Sequence, residues 1–480
     1  MNLLKLSPKQ IILFGVLVHL IAAWFSAGWH HPDEHYQLLE FAYSIDHPVS
    51  TNELPMEYGA QMRPTFQVWV SYAVMKICAS IGLINPFMIS FLLRWFIALL
   101  SMFAALKLHE ALEFPNEKIK RIHLLLSLIS WIAVYVHVRF SSETLSAIFF
   151  IFGLIPFLKP STLKGLFVSG VFIGLSFITR FQAGFFIAGL GLYFLIIQRP
   201  NIFKLLAHVL GFVIILGLGF MLDSKFYGNQ TFTAWNYFNQ NIIHQVAASF
   251  GTEPFYWYFT TAFEKLIPPY SLILIVGFFL LIIKRSKDPI TWSVWAFVLM
   301  HTVIGHKEFR FLFPLAFFVP YIILLGWDSL WNFSQEVNHK RFMRALDRFF
   351  FPINALVLLL IMLKPAHELA PLYEFIYNDI PAGSTIYFEK SDPYLSGKNE
   401  ARFYLKEDIS RVKWNIDSIQ KTDKPIYLLS EEWKQPAIPS GMQAELKYSS
   451  IPNWIAKFNF NNWLERSNCY KVYELKSQAK

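Results

Sequence analysis

Twelve apolar runs punctuate the chain, near residues 11–27, 66–84, 87–106, 122–138, 145–158, 165–179, 181–197, 205–222, 266–283, 289–305, 311–326 and 349–363. Runs approaching the ~20 residues that cross a bilayer predict membrane-spanning helices. The loops with the clearest basic excess hold Lys159 and Lys164, Arg199 and Lys204, Lys284, Arg285 and Lys287, and Lys340, Arg341, Arg344 and Arg348. The positive-inside bias assigns those loops to the cytoplasm. The connections around Arg139–Glu143, Thr179–Arg180, Asp223–Lys265 and His306–Arg310 then lie outside. Counting back puts 107–121 inside as well. With a basic N-terminus inside, the run at 66–84 is not a full crossing and reads as a re-entrant or interfacial helix, which leaves about eleven spans. An even count with 107–121 outside is the alternative. The run at 11–27 is long for a signal peptide and reads as a retained first helix.

After Lys364 the pattern changes. Charge density rises, and β-rich runs such as Ser384–Phe388, Pro425–Leu429 and Tyr470–Leu475 stand between turn residues. The expected organisation is a membrane domain over 1–363, whose first outer loop, 28–63, carries interfacial helices, and a small α/β domain over 364–480 on the non-cytoplasmic side. A hydrophobic content of 55% with only 16% charged residues excludes an ordinary soluble fold. The net charge of +9 sits in short loops between spans, so it reads as topology and not as a nucleic-acid surface. Two cysteines, Cys78 and Cys469, support neither a disulfide framework nor a cysteine metal site.

Polar chemistry concentrates on the outer side. His30-His31-Pro32-Asp33-Glu34-His35-Tyr36-Gln37 follows the first span. Pro32 with Asp33 and Glu34 is also what a helix start looks like. Adjacent carboxylates diverge by about 100° on a helix, so Asp33 and Glu34 take different roles. A metal reading uses His31 and His35, four apart, with Asp33 nearby, but no second zinc-type cluster accompanies them. His306-Lys307-Glu308-Phe309-Arg310 sits between two apolar runs, and a bidentate arginine with a lysine suits a phosphate. Snorkelling of Lys307 and Arg310 leaves His306 and Glu308 unexplained. Arg63, Arg139, Glu143, Arg180 and Asp223 lie at other run ends, as interfacial anchors individually or as a cavity lining together. Arg94, inside a run, is expected to point into the bundle. Between Asp223 and Phe259, aromatics stand beside Asn236 and Glu253 and suit sugar rings or an interfacial belt.

At these residues the chain resembles the family 22 glycosyltransferases, membrane mannosyltransferases using a polyprenyl-phosphate-linked mannose, and within them the GPI mannosyltransferase branch. The matching elements are His31-Pro32-Asp33-Glu34 with Gln37, Arg139-Phe140-Ser141 with Glu143, Thr179-Arg180, Asp223-Ser224 with Tyr227-Gly228, Asn236, Gly251-Thr252-Glu253-Pro254 with Trp257-Tyr258, and His306-Lys307-Glu308 with Arg310-Phe311. Phe181-Gln182 and Phe309 depart from the family pattern.

The resemblance implies a GT-C fold, inversion at the anomeric carbon and a carboxylate base in the first outer loop. Asp33 is assigned as base, with Glu34 as second choice or structural support. Lys307 and Arg310 would bind the donor phosphate with His306 and Arg180 nearby. Glu308, Arg63, Arg139, Asp223, Asn236 and Glu253 complete the candidate substrate-binding set. No metal or other cofactor is expected. The expected partners are a polyprenyl-phosphate-mannose donor, a glycan or glycolipid acceptor and the lipid bilayer. A bacterial inner membrane is favoured by the compact loops, with the endoplasmic reticulum as alternative. Rival readings are a transporter or flippase of lipid-linked sugars and a GT-C transferase of another sugar; ionisable groups at one face, not the midplane, favour an enzyme.

Overall fold

The computed structural model describes residues 6–336, 340–415 and 425–477. The chain forms two compact units, one from Met1–Ser26, Met56–Ile81 and Phe91–Lys364, the other from Ala27–Pro55, Gly82–Ser90 and Pro365–Lys480.

The first unit is a helical bundle. Pro8–Phe25, Pro86–Ala111, Phe181–Gln198 and Ile202–Tyr227 are long and apolar enough to cross a membrane, and two bent pairs pass the same test. Shorter apolar helices run over Ser142–Leu158, Leu163–Thr179, Pro289–Val303 and Arg348–Leu363. Large apolar side chains such as Leu13, Phe96, Val213, Met221 and Ile283 are exposed on this unit, as a lipid-facing surface requires. Its interior closes on stacked rings, Phe186 on Phe297 at 3.8 Å and Phe150 on Phe186 at 4.9 Å. Arg94 is buried and donates Nε to the Ala23 carbonyl at 2.8 Å, satisfying a group that the end of the first helix leaves open.

Two runs that read as continuous are broken. At 122–138 the chain turns by 45° at Ser130, which ends Glu117–Ile129 and caps Trp131–His137, its Oγ accepting from Ala133 N at 3.3 Å. At 311–326 a 3-10 helix, Phe309–Phe317, meets the following helix at 78°. Pro314 and Pro320 each lack the N–H that a straight α-helix there would use.

Glycines set the closest helix approaches. A Cβ at Gly170 would run into the His208 carbonyl, and one at Gly211 into the Phe167 carbonyl. Gly277 and Gly326 meet the Ile322 and Ile273 carbonyls in the same reciprocal way. Without a hydrophobic force between helices in lipid, such close backbone packing is what holds a membrane bundle together.

The second unit contains a five-stranded sheet, in the order Ser410–Lys413, Thr385–Phe388, Ile426–Ser430, Lys471–Ser477, Met442–Ser449. The first three strands are parallel and the last two antiparallel. Ile426–Ser430 is buried throughout, and its Ile426 and Leu428 pack with Tyr387 and Leu475. The same unit holds the short helix Pro32–His35, which runs into a π-helical turn, Tyr36–Glu40. Trp29 stacks on His35 at 4.3 Å and on His367 at 4.1 Å, and Tyr404 covers His35 at 5.2 Å.

Candidate active site

In the bundle, Ser141 caps the helix Ser142–Leu158, its Oγ accepting from Thr144 N at 3.2 Å. That cap places Glu143 in the first turn, where the positive helix end favours a carboxylate. Glu143 is 2% exposed, and its Oε1 lies 3.0 Å from Arg180 Nη2 and 3.2 Å from Arg310 Nη1. The Arg310 contact is an aligned hydrogen bond, whereas the Arg180 contact is ionic without that alignment. Arg180 also donates Nη1 to Ser142 Oγ at 2.9 Å, and Arg310 Nε bonds Glu308. Glu308 in turn accepts from His306 Nε2 at 3.0 Å, which holds the imidazole above its usual pKa. Burial draws Arg180 below the usual arginine value, Glu143 opposes this, and Arg310 and Arg63 reinforce it. Both guanidinium groups flank the ring of Phe311, at 5.5 Å and 5.3 Å.

Arg139 differs from these two. It is 3% exposed and lies over the Tyr135 ring at 4.4 Å, and that ring meets Phe313, three residues beyond Arg310. Its buried Nε and Nη1 donate to no acceptor among the described residues. A desolvated cation of this kind costs several kcal/mol unless an anion meets it.

Other sequence candidates are occupied by structure. Lys307 donates to the Glu253 carbonyl at 3.1 Å, and Glu253 N to the Gly305 carbonyl at 2.9 Å, so both residues tie two loops together. Asp223 Oδ1 accepts from Thr65 N at 2.8 Å and Thr65 Oγ1 at 2.7 Å, and its Oδ2 from Thr233. Asn236 donates to the Gln61 carbonyl at 3.0 Å, Tyr227 to the Arg63 carbonyl at 3.0 Å, and Arg63 pairs with Glu57 at 3.3 Å. These form a second knot that fixes 57–65 against 223–236. Ser142, and the pair Gln182 and Tyr237 at 2.7 Å, complete the first cluster's surroundings and carry no sequence signal of their own.

In the other unit, the two acids of the Pro32–His35 turn diverge as adjacent helical residues must. Glu34 is 8% exposed, and its Oε2 accepts from His30 N at 2.9 Å, closing the turn on itself. The Asp33 side chain is 19% exposed. His31 caps the helix from outside, its Nδ1 accepting from Asp33 N at 3.3 Å. That nitrogen therefore lies 3.5 Å from Asp33 Oδ1 without donating to it. His35 Nε2 turns instead to Glu40, 2.7 Å away and buried. The shared histidine face that a metal would need is thus absent from this turn. No group of three or more His, Cys, Asp or Glu is placed for a metal among the described residues.

A family model described as the Alg9-like mannosyltransferase family matches residues 10–392. The chain belongs to that family. GPI alpha-1,2-mannosyltransferase 3 from Bos taurus is 24% identical over 462 residues, 87% of this chain and 81% of that protein. The Homo sapiens protein of the same name is 25% identical over 64% of this chain, and Mannosyltransferase APTG1 of Arabidopsis thaliana 23% over 64%. Against those two the chain spans 55% and 57% of their length. The fold is also that of ArnT from Cupriavidus metallidurans, solved with undecaprenyl phosphate bound, with a TM-score of 0.56, 11% identity and 97% of each chain covered. The chain is a multi-pass membrane protein of the GT-C fold, in a mannosyltransferase family.

Proposed function

We propose that this protein is an inverting mannosyltransferase that moves mannose from a polyprenyl-phosphate-linked donor to a hydroxyl of a glycan or glycolipid acceptor at the non-cytoplasmic membrane face. The observation that carries this reading, beyond family membership, is the buried Arg139, four residues before Glu143 in the chain, whose Nε and Nη1 have no acceptor among the described residues. Charge-assisted bonds from guanidinium to phosphate are the strong kind, and each of these N–H groups can donate one. Arg180 and Arg310 are neutralised in part by Glu143 and serve as a positive wall, and Arg139, together with Arg180 Nη2, has hydrogen bonds to give.

Asp33 is the base. It removes the proton from the acceptor hydroxyl, whose oxygen attacks the anomeric carbon of mannose from the side opposite the phosphate. The bond from that carbon to the phosphate oxygen breaks, the configuration inverts, and the leaving lipid phosphate keeps the electron pair. The divergence of the two acids supports this assignment, since Glu34 is committed to His30 N. The charge that develops on the leaving phosphate is met by the arginine N–H groups, so these steps require no metal. The GPI mannosyltransferase relatives favour an acceptor of the GPI glycan type and the endoplasmic reticulum, whereas the compact loops favour a bacterial inner membrane.

The test incubates purified protein with polyprenyl-phosphate-mannose and a panel of mannosyl acceptors, comparing wild type with Asp33→Asn and Arg139→Gln. Transfer by wild type and its loss in both variants is the expected result. A stable wild type that moves the lipid across vesicles and transfers no sugar would overturn it in favour of a transporter.

A further inference from the structure

Glu143 and Phe157 mark opposite ends of the helix Ser142–Leu158, about 21 Å apart at ~1.5 Å per residue. At the Phe157 end, two cavities of about 460 Å³ and about 350 Å³ share Phe157 and Leu158 in their walls. Lys284, Arg285 and Lys287 line the larger cavity with Tyr193 and Tyr321, and Lys159 and Lys204 line the smaller. The carboxylates in these walls are Asp288 and Glu113. Asp288 is committed, its Oδ1 accepting from Ile290 N at 2.9 Å and its Oδ2 from the Tyr321 hydroxyl at 2.7 Å. Lys284 donates to Ser329 Oγ at 2.8 Å and Lys159 to the Glu110 carbonyl at 2.7 Å, neutral acceptors that leave their charge uncompensated. Arg285 is attracted to Asp288, whereas Lys287 and Lys204 form no ion pair among the described residues. Five cations and two carboxylates therefore line these open cavities, four of the cations exposed.

Exposed apolar side chains adjoin the cavities in the chain. Ile282 and Ile283 precede Lys284, and Leu195, Ile196 and Phe203 flank the smaller cavity, all exposed. A ligand that meets this surface has an anionic head and apolar tails. We infer that the paired cavities bind the phosphodiester headgroup of an anionic glycerophospholipid, its chains lying along these apolar side chains. Basic loops attract anionic lipid diffusely and lose it with salt; a cavity with an arginine fork retains individual headgroups.

The test adds phosphatidylglycerol, phosphatidylcholine or inorganic phosphate to the full-length protein in detergent and reads retained adducts by native mass spectrometry. Arg285→Gln/Lys287→Gln is compared with Lys118→Gln/Lys120→Gln, an equal charge loss at exposed residues outside the cavities. Circular dichroism confirms that both fold. The expected result is retention of phosphatidylglycerol over phosphatidylcholine, weakened at least tenfold in the cavity variant and unchanged in the other. Equal loss in both variants would reduce the effect to loop charge and overturn the site. Equal retention of phosphatidylcholine, or displacement of lipid by inorganic phosphate at matched concentration, would overturn the headgroup assignment.

Discussion

Glu143 is the residue whose replacement tests the arginine cluster most sharply. At 3.0 Å and 3.2 Å from two guanidinium nitrogens, its charge contributes roughly 5 kcal/mol of attraction to each at an effective dielectric of about 20. Desolvation of three groups that are each at most 5% exposed takes back several kcal/mol per ion. The net worth of the triad is therefore small, but removing its centre alone is costly. Glu143→Gln keeps the shape and leaves two buried cations facing one another, an expected loss of about 3–5 kcal/mol. Glu143→Gln/Arg180→Gln removes one of those cations and should recover a good part of it, with a coupling of roughly 1–3 kcal/mol. Denaturation in mixed micelles, followed by the fluorescence of the 15 tryptophans, measures both. A Glu143→Gln protein within about 0.5 kcal/mol of wild type, or a double variant that is simply additive, would show that the cluster is solvated and that its charges do not depend on one another.

Asp33→Asn should lower transfer by about 10²–10⁴ with folding intact, the range that proton abstraction supplies; Glu34→Gln should instead loosen the turn at His30, seen as faster proteolysis there. Arg139→Gln removes a buried charge with unmatched donors, so it should weaken donor binding in a direct titration while leaving the ligand-free protein no less stable. The His306–Glu308 pair raises the histidine above its ordinary pKa of 6.5, so its stabilisation is complete below that value and fades as pH rises through the raised one. The pH dependence of unfolding in that window should vanish in His306→Gln. Gly170→Ala must push its helix off the His208 carbonyl and should destabilise the bundle more than Gly217→Ala, where nothing lies within 4 Å, as paired thermal melts would show.

The apolar runs located the helices because a bilayer demands long unbroken hydrophobicity, and the strands after Lys364 were legible from β-branched and aromatic residues between turns. The break at Ser130 and the 78° bend after Phe317 were hidden, because both interrupt sequence that remains apolar. Arg180 and Arg310 were legible as charges at run ends. Their dependence on Glu143 was not, since the partners are 37 and 167 residues away and meet only through tertiary packing. The same holds for the bonds by which Asp223 and Asn236 tie down 57–65, since those partners are far away in the chain.

The reciprocal contacts of Gly170 with Gly211's helix, and of Gly277 with Gly326's, lock two neighbouring rods backbone to backbone, with no side chain between them to swap rotamers. Each couple can tilt or translate only as one piece. Motion that admits a substrate must then be taken up where the rods are not interlocked, and spin labels placed across either couple should report one unchanging separation while the enzyme turns over.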